Sequence, residues 1–489
     1  MTIVLWMSEP DAQELSRNEL LALVTELRRE LAALRAENTA LKAHILHLEQ
    51  RVATLETALA KARKDSSTSS KPPSSDIVKP PRPPAPPGGR QSGGQPGHPR
   101  YERRALPPDV LLEHTLPACP VCGGTLRHAA QPPQVRQQLE LVERPVLVTE
   151  HRAPAYWCPH CRQVRAARLP DEVRQGGLLG PRLTSLLALL KSAGHASYSF
   201  LARFMAEPLH APVCRGLLAK SIRHTSGALA PIHAALAARL PRELLLNVDE
   251  TGYPAGRAKA WAWCFRAPDF TVFRVANSRG AQVLRETLGA AYAGVLGCDY
   301  FSAYRKFDRE FAGQLGFCHA HLIRDVKFLT TLPDPATRRY GAKVLAGERR
   351  LFRAWHRRAE LPAVVARRRL ELARENLRRR ATGYVPQRRE AQNLAARFRR
   401  YGAEYFRFLE VPGLAPTNNG AERDLRPLVL DRRATQGARG AQGSRWTERI
   451  WTVLASCARQ GRSAYQFILD AVQAARANRP YPSLLPAGP

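Results

Sequence analysis

The chain has 489 residues, with 75 Lys and Arg against 42 Asp and Glu, giving a formal charge of +33 and an isoelectric point near 10.7. With 44% hydrophobic residues it can bury a sizeable core, so disorder of the whole chain is excluded, and its length corresponds to roughly three or four domains. The positive excess directs the search for a partner to polyanions, nucleic acid ahead of an anionic membrane surface.

No run approaches the ~18 apolar residues that span a bilayer, and Met1 to Met7 is too short for a signal peptide, so the protein is expected in the cytoplasm. Nine cysteines are present, four of them in two CxxC pairs, which in a long intracellular chain favours metal or redox chemistry over a disulfide framework.

Residues 12–64 carry a heptad. Leu20, Leu27, Leu34, Leu41, Leu48 and Leu55 recur every seven residues, each followed four residues on by Val24, Leu31, Asn38, Ile45, Val52 and Leu59. Leu at d with mostly β-branched or leucine residues at a predicts a parallel two-stranded coiled coil, with Asn38 fixing register and dimeric state. The g-to-e pairs agree: Glu30 with Arg35, Glu37 with Lys42 and Arg51 with Glu56 are complementary. From 65 to 105 the composition turns to Pro, Gly and Ser, which predicts a basic tether with no core of its own.

Residues 106–175 hold Cys119-Pro120-Val121-Cys122-Gly123-Gly124 and, 36 residues after Cys122, Cys158-Pro159-His160-Cys161. Four thiolates at this spacing predict one structural zinc in a zinc-ribbon-like module, with strands expected in the alternating stretch Val135 to His151. A thioredoxin-like redox role needs one CxxC in a βαβ context and is the lesser reading, and His128 or His160 remains open as a replacement ligand. Residues 176–242 read as several short helices with breaks near Gly194 and at Pro208 to Pro212; a helix-turn-helix that contacts DNA and a helical layer that only packs are both open.

Residues 243–335 alternate strand and turn. Leu244 to Val248 ends in Asp249-Glu250-Thr251, two strands follow over 260–267 and 270–276 with Pro268-Asp269 between them, and a helix over 281–288 leads to an apolar run ending in Cys298-Asp299-Tyr300. Two strands each delivering an Asp, with a hairpin and a helix between, predict the front half of an α/β ribonuclease H-like sheet. Such paired oxygens suit hard divalent cations in phosphoryl transfer. A third acidic segment, Thr417-Asn418-Asn419-Gly420-Ala421-Glu422-Arg423-Asp424, reads as a turn and a helix start that aims Glu422 at the two Asp.

The 122 residues between Asp299 and Glu422 exceed what one strand and one helix need, so a helical insertion is expected over 336–412. From Glu348 to Arg400 it carries 17 Arg and no Lys against 5 acids, a lopsided set suited to phosphate contacts along a DNA backbone. His319 and His321 open a helix after a predicted strand, near the metals or simply in packing. Residues 413–480 complete the core with the Glu-bearing helix and a helix pair over 451–472.

Taken together, these pieces resemble the transposases of insertion-sequence family sixty-six, a branch of the DDE transposases, in order and over nearly the whole length. The resemblance rests on the leucine-rich first helix, Ser69-Ser70-Lys71-Pro72-Pro73-Ser74-Ser75-Asp76, the paired CPxC knuckles, Asp249-Glu250-Thr251, Asp299-Tyr300 with Tyr304, Cys318-His319-Ala320-His321 with Arg324, and Asn418-Asn419 with Ala421-Glu422-Arg423. Val248 stands where the family usually has Ala. The resemblance implies a recombinase in which Asp249, Asp299 and Glu422 hold two Mg²⁺ (or Mn²⁺) ions, with water as nucleophile in cutting the element's ends and the freed 3′-hydroxyl as nucleophile in joining them to double-stranded target DNA.

It also makes accessory proteins of the same element and a place at the bacterial nucleoid plausible. The fold expected is multidomain: an N-terminal parallel coiled coil, a zinc-ribbon-like module held by Cys119, Cys122, Cys158 and Cys161, a helical DNA-binding region, and an α/β core with a helical insertion. The alternative is a zinc-stabilised dimeric DNA-binding protein without catalytic activity, a regulator or a decayed transposase; the three acidic segments alone discriminate between the two.

Overall fold

The computed structural model describes residues 16–65, 68, 106–127, 135–256, 258–310 and 313–486, so most of the predicted tether, and His128, lie outside the described residues. The chain divides into two compact units. One comprises Met1–Pro80, Ala235–Pro254 and Ala258–Val429, the other Pro81–Ala234, Ala255–Arg257 and Leu430–Pro489.

Helix α1 (Arg17–Ala62) opens with a capping box: Ser16 accepts from the Glu19 amide while the Glu19 carboxylate accepts from the Ser16 amide at 2.8 Å. Its 46 residues make a rod about 70 Å long. None of them is buried, and Leu27, Leu34, Leu41, Ile45 and Leu55 of the predicted seam are all exposed. Only near its end does α1 meet other residues of its unit, with Lys61 paired to Glu390 at 3.0 Å.

In the second unit, β1 (Ala155–Cys158) and β2 (Gln163–Ala166) form an antiparallel hairpin in register from Ala155 opposite Ala166 to Cys158 opposite Gln163. The strands expected over 135–151 do not form: among the described residues that stretch has no ladder, and Val135, Leu139, Leu141 and Leu147 are exposed. Alternation specifies a strand only where a surface exists for one face to bury against, and these exposed residues have none. Helices α2 (Asp171–Gly176), α3 (Pro181–Ser192), α4 (Tyr198–Ala206), α5 (Arg215–Ala228) and α6 (Ala230–Arg239) follow. Pro181 starts α3 at the position where its missing N–H costs nothing. Leu187, Leu201, Met205 and Leu218 make a shared core.

The first unit is built on a five-stranded sheet of order β5-β4-β3-β6-β7, from β3 (Leu245–Gly252), β4 (Trp261–Arg266), β5 (Thr271–Ala276), β6 (Val295–Cys298) and β7 (Gln314–Phe317). The first three strands run as an antiparallel meander, and β6 and β7 lie parallel to β3. All of β6 and the centre of β4 are buried, as expected for strands covered on both faces. Crossovers α7 (Ala281–Leu288) and α8 (Ser302–Glu310) connect β5, β6 and β7, and α9 (His319–Leu329) leaves β7.

The predicted insertion consists of α10 (Pro335–His356), α11 (Ala363–Thr382) and α12 (Arg389–Phe406). They bury Leu351, Leu377, Leu394 and Phe398 and leave most of the arginines exposed. Helix α13 (Asn419–Thr435) then returns to the sheet, and α14 (Ala441–Arg459) and α15 (Ala464–Ala477) belong to the second unit. Among the described residues no helix is long and apolar enough to cross a membrane.

Candidate active site

Asp249 is the fifth residue of β3, and Asp299 is the first residue past β6. These strands pair in parallel, Asn247 opposite Gly297, so continuing the register two residues sets Asp249 beside Asp299 at a strand separation of about 4.8 Å. The Asp299 side chain is fixed by the Phe301 amide at 2.8 Å, and that of Asp249 accepts from the Glu250 amide at 2.9 Å.

Glu422 arrives from α13. Asn418, almost wholly buried just before that helix, ties its start to the sheet: its side-chain amide donates to the Val248 carbonyl at 2.8 Å, and its backbone N–H to the Cys318 sulfur at 3.1 Å.

The acids lie near enough to act on one another electrostatically. Burial, then the negative charges of Glu250, Asp299 and Glu422, push the Asp249 carboxyl well above the usual carboxylate range. Glu250, next in the strand and on the opposite face, is pushed up to about 7 by burial and by Asp299, although Tyr304 and Arg279 pull the other way. The Arg279 guanidinium bonds Glu250 at 2.8 Å while stacking over Phe301, and the Tyr304 hydroxyl donates to the other carboxylate oxygen. A bound cation would relieve the repulsion that Asp249 feels from its neighbours, although the oxygens of Asp249, Asp299 and Glu422 do not themselves all lie within 4.8 Å of one another.

The donors present fit a hard divalent cation. They are carboxylate oxygens, and Glu422 Oε1 and Asn418 Oδ1 are buried without a hydrogen-bond partner among the described residues. Beside Glu422 stand His321 at 3.6 Å and Arg324 at 3.7 Å. Cys318, His321 and Glu422 place their ligating atoms within 4.8 Å of one another, the one such group of three or more among the described residues. Burial pushes the Cys318 thiol up to about 11, and its sulfur accepts the Asn418 amide at 3.1 Å.

His319 turns away from the acids. It is fully buried between Glu348, at 2.9 Å, and the Tyr405 carbonyl, at 2.6 Å; burial lowers its affinity for a proton, but Glu348 and the other hydrogen bonds more than reverse this. It joins α9 to the insertion, so of the two histidines only His321 reaches the carboxylates.

Sequence reasoning left three functional contacts unassigned. Arg279, in the Ser-Arg-Gly turn before α7, carries no local signal. Tyr304 sits one helical turn past Asp299, and its pairing with Glu250 depends on the tertiary fold. Asp424 accepts from Arg266 at 3.2 Å and Thr271 at 2.8 Å, clamping α13 to the β4–β5 hairpin. Gly420 leaves room for that clamp, since a Cβ there would lie 2.3 Å from Arg266 Nη1 and displace the guanidinium.

The cysteine pairs are formed locally. Gly123, at φ +72°, lets the chain turn so that the Cys119 amide reaches the Gly124 carbonyl at 2.9 Å. Backbone amides at Cys122 and Val121 and the Cys122 thiol lower the Cys119 pKa, and Cys161 and His160 do the same for Cys158. Amides aimed at sulfur favour the thiolate, the form that binds zinc. Each knuckle is thus preorganised, but the structure does not draw the two pairs within the same 4.8 Å limit.

With this geometry in place, comparison with known proteins defines the class first. Residues 176–445, which hold all three acids, match the family described as Transposase IS66 family, and residues 117–162, which hold all four paired cysteines, match the zinc-finger binding domain of transposase IS66. The chain is therefore of the transposase class and carries a zinc-binding domain. More narrowly, the first match spans over half of the chain, and the protein belongs to the IS66 transposase family. Residues 7–104 match a family of unknown function (DUF6444). A relative in Sinorhizobium fredii (strain NBRC 101917 / NGR234), described as uncharacterized protein y4hP, is 23% identical over 396 residues, covering 73% of this chain and 71% of its own.

Proposed function

We propose that the protein cleaves and joins DNA by metal-dependent phosphoryl transfer, with Asp249, Asp299 and Glu422 holding two Mg²⁺ (or Mn²⁺) ions in a ribonuclease H-like core. The observation that carries this reading is the shared electrostatic site of three acids drawn from β3, the end of β6 and α13, where Asp299 and Glu422 both act on Asp249. The strand order, an antiparallel meander continued by two parallel strands, supports the same reading. Divalent cations bound there would activate the attacking oxygen and stabilise the leaving one.

The protein's own groups supply the frame. Asn418 holds the start of α13 against β3 so that Glu422 faces the two Asp. Arg279 pairs with Glu250 behind them while Tyr304 donates to it, and His321 and Arg324 flank Glu422 where a DNA phosphate would approach. Water attacks at the element's ends, and the freed 3′-hydroxyl attacks target DNA.

In this reading Cys119, Cys122, Cys158 and Cys161 hold one zinc within a module spanning 106–175. Two copies of α1 pair through Leu20 to Leu59 as a parallel coiled coil over 12–64, and the exposed arginines of the 336–412 insertion bind the DNA backbone. The 65–105 segment is the tether, 176–242 a helical DNA-contacting region, and 243–335 with 413–480 the core. Accessory proteins of the same element, and residence at the bacterial nucleoid, complete the picture.

The test is nicking of labelled DNA that carries the element's ends, by wild type and by Asp249→Asn, Asp299→Asn and Glu422→Gln. Cleavage in Mg²⁺ or Mn²⁺ that all three variants lose is the expected result, and cleavage retained by all three would overturn the proposal.

A further inference from the structure

Apart from the carboxylate site, the second unit contains a cavity of about 480 Å³ between α2, α5 and α15. Its ionisable lining is basic: Arg174, Lys220, Arg223, His224 and Arg476 face it, and among the described residues no carboxylate does. Lys220, Arg223, His224 and Gly227 form one stripe of α5, spaced as neighbours on a helix face. Arg174 is paired with Asp171 at 2.8 Å, whereas Lys220, Arg223 and Arg476 have no ion pair among the described residues.

Arg476 is the most telling of these. Its guanidinium is half-buried and held only by neutral acceptors, the Leu179 carbonyl at 2.9 Å and the Thr184 hydroxyl at 3.1 Å. A desolvated cation without a counterion is costly. Burial, then Lys220, Arg223 and Arg476, lower the His224 pKa, so the positive field acts inside the cavity as well as at its rim.

A second observation is independent of charge. Ser221, 9% exposed and lining the same cavity, has a buried hydroxyl oxygen with no hydrogen-bond partner among the described residues. An orphaned donor beside uncompensated cations calls for an acceptor-rich anion. The remaining wall, Leu179, Leu217, Val472 and Tyr481, is apolar and suits a sugar or base.

We propose that this cavity is a phosphate-binding site that takes a nucleotide unit of a DNA strand, its phosphate against Lys220, Arg223, Arg476 and the Ser221 hydroxyl and its sugar or base against the apolar wall. A bound inorganic phosphate would use the same polar groups, so the experiment separates the two sources. The inference rests on the reading of the protein as one that acts on DNA, and it gives that reading a contact remote in sequence from the acids.

The test uses the zinc-loaded full chain without added divalent cation, so that binding is measured apart from cleavage. Anisotropy of a labelled DNA oligonucleotide is followed across a salt series, and binding of inorganic phosphate by calorimetry. Lys220→Gln/Arg223→Gln is expected to weaken DNA binding about tenfold or more and to reduce the salt slope by about 1 to 2.

Ser221→Ala breaks no contact of the free protein, so its melting should be unchanged while DNA affinity falls about fivefold, an effect that a purely structural serine would not produce. DNA affinity unchanged in both variants would overturn the proposal, and so would loss of phosphate binding alone with DNA binding intact. If the variants weaken DNA binding but the wild type never cleaves DNA in Mg²⁺ or Mn²⁺, the catalytic reading fails and the cavity assignment stands.

Discussion

The paired cysteines and the three carboxylates are two candidate metal sites in one chain, built in opposite ways. Each cysteine knuckle is closed within six residues by a turn at Gly123 or by the β1–β2 hairpin, with its second cysteine exposed and its first half-buried. The acids are 50 and 123 residues apart in sequence, and what brings their segments near one another is the pairing of β3 with β6 and the hold of Asn418 on β3. A local site of soft donors forms with little tertiary support and gains its stability from the metal. A topological site of hard donors is assembled by the fold, and the fold bears the repulsion among its carboxylates.

The largest effect that would sharpen this contrast is on catalysis. Asp249→Asn or Asp299→Asn should lower strand cleavage on the order of a thousandfold or more, read as initial rates at saturating DNA. Cys119→Ser should leave the rate per bound DNA within a few-fold of wild type. Equal losses in both kinds of variant would erase the distinction between the sites.

Removal of zinc comes next. Chelation should expose the 117–162 segment to proteolysis while the first unit melts at an unchanged temperature. Unchanged proteolysis after complete metal removal would mean that the thiols are not structural ligands.

Asp249 and Glu250, both with raised carboxyls, give the pH dependence of stability the same sign, and Glu250 is the part that can be removed cleanly. Its carboxyl loses its proton at about 7 in the folded protein, against 4.5 for an unperturbed glutamate. Below the unfolded value its contribution is fully present; as pH rises through the window the unfolded chain releases its proton first, and stability falls by at most about 3 kcal/mol. Melting of zinc-loaded protein without added Mg²⁺ should therefore decline between these pH values, and less steeply in Glu250→Gln. A parallel decline in both would remove Glu250 as the cause.

Smaller effects belong to the clamp on α13. Asp424→Asn should cost about 1 to 3 kcal/mol, because it leaves Arg266 half-buried without its charge partner. Gly420→Ala should cost about 1 kcal/mol by displacing the Arg266 guanidinium. Denaturant unfolding followed by tryptophan fluorescence measures both.

Much of the core was legible in the sequence, because the strands that carry the acids announce themselves as apolar runs ending in Asp. Helix α7 falls at its predicted residues, and β4 and β5 within one residue of theirs. The stretch 135–151 was misread, since alternation there has no surface to bury against. Arg279 escaped, and Tyr304 was named in the resemblance without its contact, because a partner for Glu250 is defined by how α7 and α8 cross the sheet, which no local pattern encodes. The cavity beside α5 was illegible for the same reason: Arg476 lies 256 residues from Lys220 in sequence.

The central claim, that acids from three distant segments form one divalent-cation site, is tested most directly by Fe²⁺-directed backbone cleavage of the zinc-loaded protein. The account predicts cuts clustered near residues 249, 299 and 422, suppressed by excess Mg²⁺ and lost together in Asp249→Asn. Cuts at only one of the three segments, or a pattern indifferent to Mg²⁺, would contradict it.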